Sequence, residues 1–148
     1  MVLSSSTNTQ LMNFAEKMKL PLNDILMRDE MNELKDDGFY IINLDDSNGN
    51  GTHWTALYYN GNPLNSYYFD SFGFVPPLEV ERKIKPYHYN DADIQDFNSE
   101  ACGYYCLAFI KFLHDKNDKE LAFRQFLQLF GNKTTENDNI LEKYLEID

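Results

Sequence analysis

The spacing of apolar residues along the chain predicts three regular helices and three strands. An apolar residue returns every three or four positions, as on one buried helix face, in residues 9–19, 101–113 and 117–130. Aromatic and β-branched residues cluster in short runs that predict strands at residues 39–44, 52–59 and 66–72. Helix, sheet and then helices in this order predict an α+β fold.

The segments between these elements have weaker patterns. Dense charges among apolar residues at 23–37 predict short helical or irregular structure, and Gly and Asn at 45–51 predict a loop. The other expectations are a flexible leader at 1–8, a short helix at 78–84, loops at 86–93 and 132–139, a short strand at 94–97 and a last helical turn at 140–145. There is no internal repeat, so we expect one domain over residues 1–148.

Composition and net charge then restrict the classes of protein to which this chain could belong. The chain has 148 residues, of which 43% are hydrophobic and 15% aromatic, as in a packed globular protein. Its net charge of −11 argues against nucleic acid as the main partner, because phosphate binding needs a basic face. No apolar run approaches the roughly 18 residues that cross a bilayer. The first residues do not resemble a secretion signal, so we expect a protein that is not secreted.

The two cysteines, Cys102 and Cys106, lie four positions apart on one predicted helix. This spacing gives poor disulfide geometry, and two cysteines do not form a disulfide framework, so a reducing environment is expected. Zinc is not expected, since there is no second cysteine pair and the three histidines are scattered. Buried cysteines most often pack as small hydrophobic residues, which is the simplest interpretation of Cys106.

Cys102 lies in the first turn of its predicted helix, where the positive end of the helix dipole favours a thiolate. We expect Asn98 or Ser99 to cap this helix. Gly103 could leave room for a substrate backbone. The negative charge of Glu100 disfavours a thiolate at the nearby Cys102, so a nucleophilic role for Cys102 requires a cationic histidine partner.

His53 is the best candidate for that partner, because it begins a predicted strand directly after a Gly-rich loop. If the hairpin is symmetric about residues 61–62, His53 lies opposite Asp70, and Thr55 lies opposite Tyr68. Cross-strand neighbours have Cβ atoms about 5 Å apart, close enough for a carboxylate to bind an imidazole. A slip of one residue would separate the pair. The alternatives are a structural histidine and an Asp70 that is merely a polar strand end.

A fourth candidate, Gln95, lies seven residues before Cys102 and offers an amide donor for an oxyanion. The backbone N–H of Cys102 is a second candidate donor, because the first turn of a helix leaves such groups without an intrahelical acceptor. Thiol, base, orienting acid and oxyanion donor are together the requirements of nucleophilic cysteine catalysis.

Four segments carry a resemblance to a known family. They are GTHWTA at 51–56, YFDSFGF at 68–74, Gln95, and ACGYYC at 101–106. In this order they resemble the adenain-like cysteine proteases, the maturation proteases of adenoviruses and of related large DNA viruses, virophages and Maverick/Polinton elements. That family belongs to the wider clan of SUMO-processing proteases. The resemblance runs from about residue 11 to residue 130.

The resemblance implies a single cysteine peptidase domain whose central mixed or antiparallel sheet packs against the helix of the nucleophile. It implies a triad of Cys102, His53 and Asp70, with Gln95 in the oxyanion hole, and a second cysteine, Cys106, that is not the nucleophile. It further implies an endopeptidase that processes viral or virophage capsid or other structural precursors during particle maturation. Such a protein would be found in the virion and in the host-cell cytoplasm or virus factory.

Two departures limit what can be transferred from the family. The adenoviral enzyme is basic, and is activated by DNA and by a peptide joined through a disulfide. This chain is acidic and has no evident spare cysteine, so we expect no cofactor and no such activator. We expect a monomer without membrane partners. Two alternatives remain: a ubiquitin-like-protein protease or isopeptidase with the same triad, and a non-catalytic relative that binds peptides or capsid protein.

Overall fold

The computed structural model describes residues 6–45, 53–85 and 88–146. Five strands form one sheet in the order β1-β2-β3-β4-β5: β1 is Leu22–Met27, β2 Gly38–Asn43, β3 Trp54–Tyr59, β4 Tyr67–Phe69 and β5 His88–Tyr89. β2, β3 and β4 are antiparallel to one another, whereas β1 is parallel to β2 and β5 is parallel to β4. The predicted α+β fold with a mixed sheet is therefore confirmed.

Five helices accompany the sheet in the described residues: α1 is Asn8–Lys17, α2 Leu78–Glu81, α3 Cys102–Leu113, α4 Lys119–Leu127 and α5 Asn137–Leu145. Short 3₁₀ segments cover Arg28–Glu33, Pro63–Asn65 and Thr134–Glu136. α3 is the central helix, since it contacts β3 of the sheet and also α1, α4 and α5. Most of its side chains are buried, which explains why its sequence is apolar on nearly every side.

The sheet buries apolar side chains on both faces. On one face Phe69 stacks on Phe109 of α3, with ring centroids 5.6 Å apart. On the other face Tyr68, from the same strand, packs in a separate core with Val80 and Ile84. Alternate residues of a strand point to opposite faces, so a sheet covered on both sides has almost continuously apolar strands. The packing of α3 against β3 brings the first residues of the two elements close together.

Several predicted elements agree with the structure, with shifted ends. β3 lies within its predicted strand, and β2 begins one residue before the predicted start. α1 begins at Asn8, where Thr7 and Gln10 form a capping box. The predicted leader therefore ends earlier than residue 8, and its first five residues lie outside the described part. α4 is capped by Asp118, whose side chain accepts the Leu121 N–H. The predicted Gly-rich loop lies outside the described residues from position 46 onward.

Other predictions were wrong. Residues 23–27, which were expected to be helical or irregular, form most of β1, and β5 lies inside the predicted loop at 86–93. Residues 94–97 are not a strand; the backbone N–H groups of Ile94 and Gln95 both donate to the Ser71 carbonyl. The predicted third strand, 66–72, is paired only over Tyr67–Phe69, and α5 begins three residues before the predicted turn.

Candidate active site

Cys102 is the first residue of α3, and its side chain lies at the edge of the core with 8% of the residue exposed. The N-cap is Ala101, and no side chain caps the helix directly, so the prediction that Asn98 or Ser99 would do so was wrong. The Ser99 hydroxyl instead accepts the Ala101 N–H, one position before the helix, at 3.2 Å. At its first position in the helix, the Cys102 N–H has no intrahelical acceptor.

His53 and Asp70 form the polar pair beside this cysteine. Nε2 of His53 lies 2.7 Å from Oδ1 of Asp70, whose side chain is fully buried, while the His53 side chain is 14% exposed. The same Asp70 oxygen accepts the Phe72 N–H at 2.8 Å. The Phe72 ring packs against the imidazole, with centroids 4.9 Å apart. These contacts hold the imidazole in one orientation.

The register between β3 and β4 differs from the predicted one by two residues. Leu57 lies opposite Tyr68, where the symmetric hairpin placed Thr55. A side chain changes face with every single step along a strand, so a displacement of two leaves each residue on its predicted face. His53 and Asp70 lie just beyond the paired residues of their strands and still meet, although they are not direct cross-strand partners.

The environment of His53 favours its protonated form. Burial by itself lowers the pKa of the imidazole, but hydrogen bonds to Asp70 and to Cys102, together with their negative charges, raise the pKa of His53 to about 9. Because Nε2 faces Asp70, the ring nitrogen left for the thiol is Nδ1. A protonated imidazole supplies the positive charge that stabilises a thiolate at the beginning of a helix.

Cys106 has the opposite environment. It lies one turn further along α3, is fully buried in the core and forms no disulfide. Burial raises the pKa of the Cys106 thiol well above its ordinary range, so the thiol stays neutral. The prediction that Cys106 packs in the core is confirmed.

Gln95 is buried next to the segment that precedes Cys102. Its Oε1 accepts the Ser71 hydroxyl at 2.5 Å, and its Nε2 donates to the Ser99 carbonyl at 2.8 Å. A longer contact of 3.3 Å joins Nε2 to the Ser99 hydroxyl. The structure therefore fixes the Gln95 side chain between Ser71 and Ser99, with its amide nitrogen directed at Ser99, three residues before the candidate nucleophile. Its role as an oxyanion donor stays a prediction.

Two polar residues support the site and were not found from the sequence. Asp138 of α5 accepts hydrogen bonds from the Ser99 hydroxyl and from the Tyr105 hydroxyl, each at 2.8 Å. Asn90 accepts the Asp70 N–H and donates to the Asp70 carbonyl. Both residues lie in segments expected to be polar loops, where an Asp or Asn has no distinctive local pattern.

Gly103 does not leave room for a substrate, which corrects the expectation from the sequence. A Cβ atom at this buried position would lie 2.8 Å from Cδ2 of Leu11. The missing side chain instead allows α1 to pack closely against α3.

Gly73 closes the turn that follows Asp70, and its replacement by alanine should destabilise the protein. Its φ is +78°, and a Cβ there would lie 2.8 Å from the backbone carbon of Ala92. We expect Gly73→Ala to lower the free energy of unfolding by about 2–4 kcal/mol, measured by urea denaturation. The control is Gly61→Ala, whose Cβ would meet only Asp37 at 3.7 Å, and which should change stability by less than about 1 kcal/mol. Equal losses in the two variants would contradict this account.

The described residues offer two further negative observations. They contain no group of three or more His, Cys, Asp or Glu side chains placed to hold a metal ion. None of the helices in this part of the chain is both long enough and apolar enough to cross a membrane.

Comparison with known proteins gives a structural neighbour and no sequence relative. No protein-family model matches the chain, and no curated protein does. The fold is similar to that in the crystal structure of the ASFV pS273R protease, with a TM-score of 0.58 and 17% sequence identity. The alignment covers 96% of this chain but 66% of that protease, so the chain spans just under two thirds of its length. The chain thus has a protease fold.

Proposed function

We propose that the protein is a cysteine endopeptidase with Cys102 as nucleophile, His53 as acid–base and Asp70 as the residue that orients His53. The observation that carries this proposal is the position of His53, which binds Asp70 at 2.7 Å and interacts with Cys102 at the beginning of α3. A thiol, a base and an orienting acid in contact are the arrangement that nucleophilic cysteine catalysis requires. The protease fold is consistent with that chemistry.

In the first half of the reaction, the Cys102 thiolate forms a bond to the carbonyl carbon of the substrate, and the carbonyl electrons move onto oxygen. The Cys102 N–H stabilises this oxyanion. When the tetrahedral intermediate collapses, the carbon–nitrogen bond breaks, and the departing amine takes a proton from His53. The product is a thioester between Cys102 and the acyl part of the substrate.

In the second half, water attacks the thioester and gives a proton to His53. Collapse of the new tetrahedral intermediate releases the carboxylic acid and restores the thiolate and the imidazolium. Asp70 accepts the hydrogen bond from Nε2 throughout, and keeps that side of the ring directed away from the reacting atoms.

Gln95 would be the second oxyanion donor. Its amide has two hydrogens, and one of them makes the longer contact with the Ser99 hydroxyl. To donate to the oxyanion, the Gln95 amide would give up that weaker contact. The Ser71 hydroxyl holds the opposite side of the amide.

The substrates we propose are capsid or other structural precursors of a virus or virophage. The sequence resemblance to the adenain-like proteases supports this choice. The net charge of −11 argues against activation by DNA. The test is incubation with the structural precursors encoded beside this protein. Specific cleavage supports maturation, whereas stable labelling by a ubiquitin-like vinyl-sulfone probe without precursor cleavage would favour the isopeptidase alternative.

A peptide vinyl sulfone should alkylate Cys102 and leave Cys106 unmodified, because Cys102 is 8% exposed and interacts with His53, whereas Cys106 is 1% exposed. Peptide mapping by mass spectrometry after labelling measures this selectivity. We expect His53→Ala to slow labelling by about tenfold or more, since the imidazolium no longer supports the thiolate. Labelling of Cys106, or an unchanged rate in His53→Ala, would contradict the assignment.

A further inference from the structure

A cavity of about 610 Å³ opens beside the candidate active site. Its lining consists of Phe72, Gly73, Phe74, Asp91, Asp93, Gln95 and Phe97. Two of these residues connect it to the site: Phe72 packs against the His53 ring, and Gln95 is the candidate oxyanion donor. The volume lies within the range of roughly 300–1,000 Å³ that is typical of ligand pockets.

The apolar part of this lining is exposed to an unusual degree. Phe97 is 91% exposed and Phe74 is 65% exposed, and the rings of Phe72 and Phe74 lie 6.3 Å apart. Large aromatic side chains grouped at one surface generally mark a binding site, since their exposure to water is unfavourable until a partner covers them. Since Phe72 of this cavity packs against the ring of His53, the partner expected here is a segment of the substrate.

The polar part of the lining is negative. Asp91 and Asp93 are both exposed, and among the described residues that line the cavity there is no Lys or Arg. A cationic side chain in this cavity would meet two carboxylates and, at Phe97 or Phe74, an aromatic ring face. Carboxylates and aromatic faces both attract ammonium and guanidinium groups.

We propose that this cavity is a substrate subsite that binds a large apolar side chain together with an adjacent Lys or Arg of the cleaved polypeptide. The apolar side chain would pack against Phe72 and Phe74, and the cation would lie between Phe97 and the two aspartates. This inference rests on the proposed peptidase function, and it names the specificity of that same site. The cavity lies next to the scissile bond, so the preference applies to residues close to the cleavage point.

The test compares three peptides that differ at one dipeptide near the cleavage point: Leu-Arg, Leu-Gln and Gly-Arg. Cleavage is measured as kcat/KM on the full chain, and binding is measured by fluorescence anisotropy on the Cys102→Ala variant. We expect Leu-Arg to be preferred over Leu-Gln and over Gly-Arg by about tenfold in each measurement, which is about 1.4 kcal/mol.

Two variants separate the contributions of charge and ring. Asp91→Asn combined with Asp93→Asn should bring the Leu-Arg to Leu-Gln ratio close to one. Phe97→Ala should reduce the same ratio and leave the preference for Leu-Arg over Gly-Arg in place. The control, Glu16→Gln combined with Glu33→Gln, removes the same charge at exposed positions outside the cavity and should leave the ratios unchanged.

The outcomes distinguish this inference from the proposed function. Cleavage with equal rates for the three peptides would rule out the subsite and leave the proposed peptidase function unaffected. So would a preference for Leu-Arg over Leu-Gln that persists after loss of both aspartates. A selective binding preference without any cleavage would support the subsite and reject the peptidase function. Equal binding of the three peptides to Cys102→Ala would overturn the subsite whether or not cleavage occurs.

Discussion

Cys102→Ala should abolish peptide cleavage, while Cys106→Ala should retain most of it. Loss of a nucleophile removes the covalent pathway, and in enzymes with comparable machinery such losses are on the order of 10⁴- to 10⁶-fold in kcat. Cys106 is buried one turn away, with a pKa raised by burial, so its removal should cost about 1 kcal/mol of stability and little activity. A fluorogenic peptide assay measures cleavage, and intact-mass spectrometry detects the acyl-enzyme.

The two cysteine variants are matched controls for each other, because each deletes one sulfur from the same helix. Thermal unfolding of both establishes that any loss of activity is not a loss of fold. If Cys106→Ala were inactive while folded, or if Cys102→Ala still formed an acyl-enzyme, the assignment of the nucleophile would be wrong.

Asp70→Asn should reduce kcat/KM by about 10²- to 10⁴-fold and lower the pKa of His53. The Asp70 carboxylate is fully buried and accepts from His53 at 2.7 Å, so the nearly isosteric amide removes its charge with little change in shape. In the wild type, activity should fall as the pH rises through about 9, where His53 loses its proton. In the variant that fall should occur at lower pH, as measured by a pH–rate profile and by NMR titration of His53.

The same titration predicts how stability depends on pH. The pKa of His53 in the folded protein, about 9, is above its ordinary value of 6.5. Protonation of His53 therefore stabilises the folded state fully below about pH 6.5, and this contribution is lost as the pH rises toward 9. We expect a decrease in Tm between pH 6 and pH 9.5 that is smaller in Asp70→Asn.

Asp115→Asn is the matched control, because it removes a carboxylate that is exposed and paired with Lys116. It should leave the titration of His53 and the alkaline fall in activity unchanged. A wild-type His53 that titrates near 6.5, or an alkaline limb that does not move in Asp70→Asn, would contradict the proposed pairing.

Local sequence patterns were sufficient to predict the helices and strands that are strongly apolar or that are capped by their own residues. The runs that became β2 and β3 are buried on both faces, and α3 is apolar around most of its circumference, so each has a strong periodic signal. β1 lacks that signal because Asn23 and Asp24 are exposed at the sheet edge. It is a strand because it pairs with β2, a contact between distant parts of the sequence.

The contact between His53 and Asp70 was predictable for a related reason. Strand alternation keeps the two residues on one face even though the register is displaced by two. The orientation of Gln95 was not predictable, because it depends on Ser71, Ser99 and, through Ser99, on Asp138 of a different helix.

By itself, the sequence determined the α+β class, the apolar helix with a thiol in its first turn, and the candidate residues for a catalytic site. These follow from periodicity and residue chemistry, which act over a few positions. Only the tertiary structure decided that Leu11 fills the space beside Gly103, that Asp138 binds Ser99, and that Phe97 and two aspartates border one cavity. Each of these contacts joins segments that are far apart in the chain. Short-range patterns in the sequence cannot show which distant segments pack together.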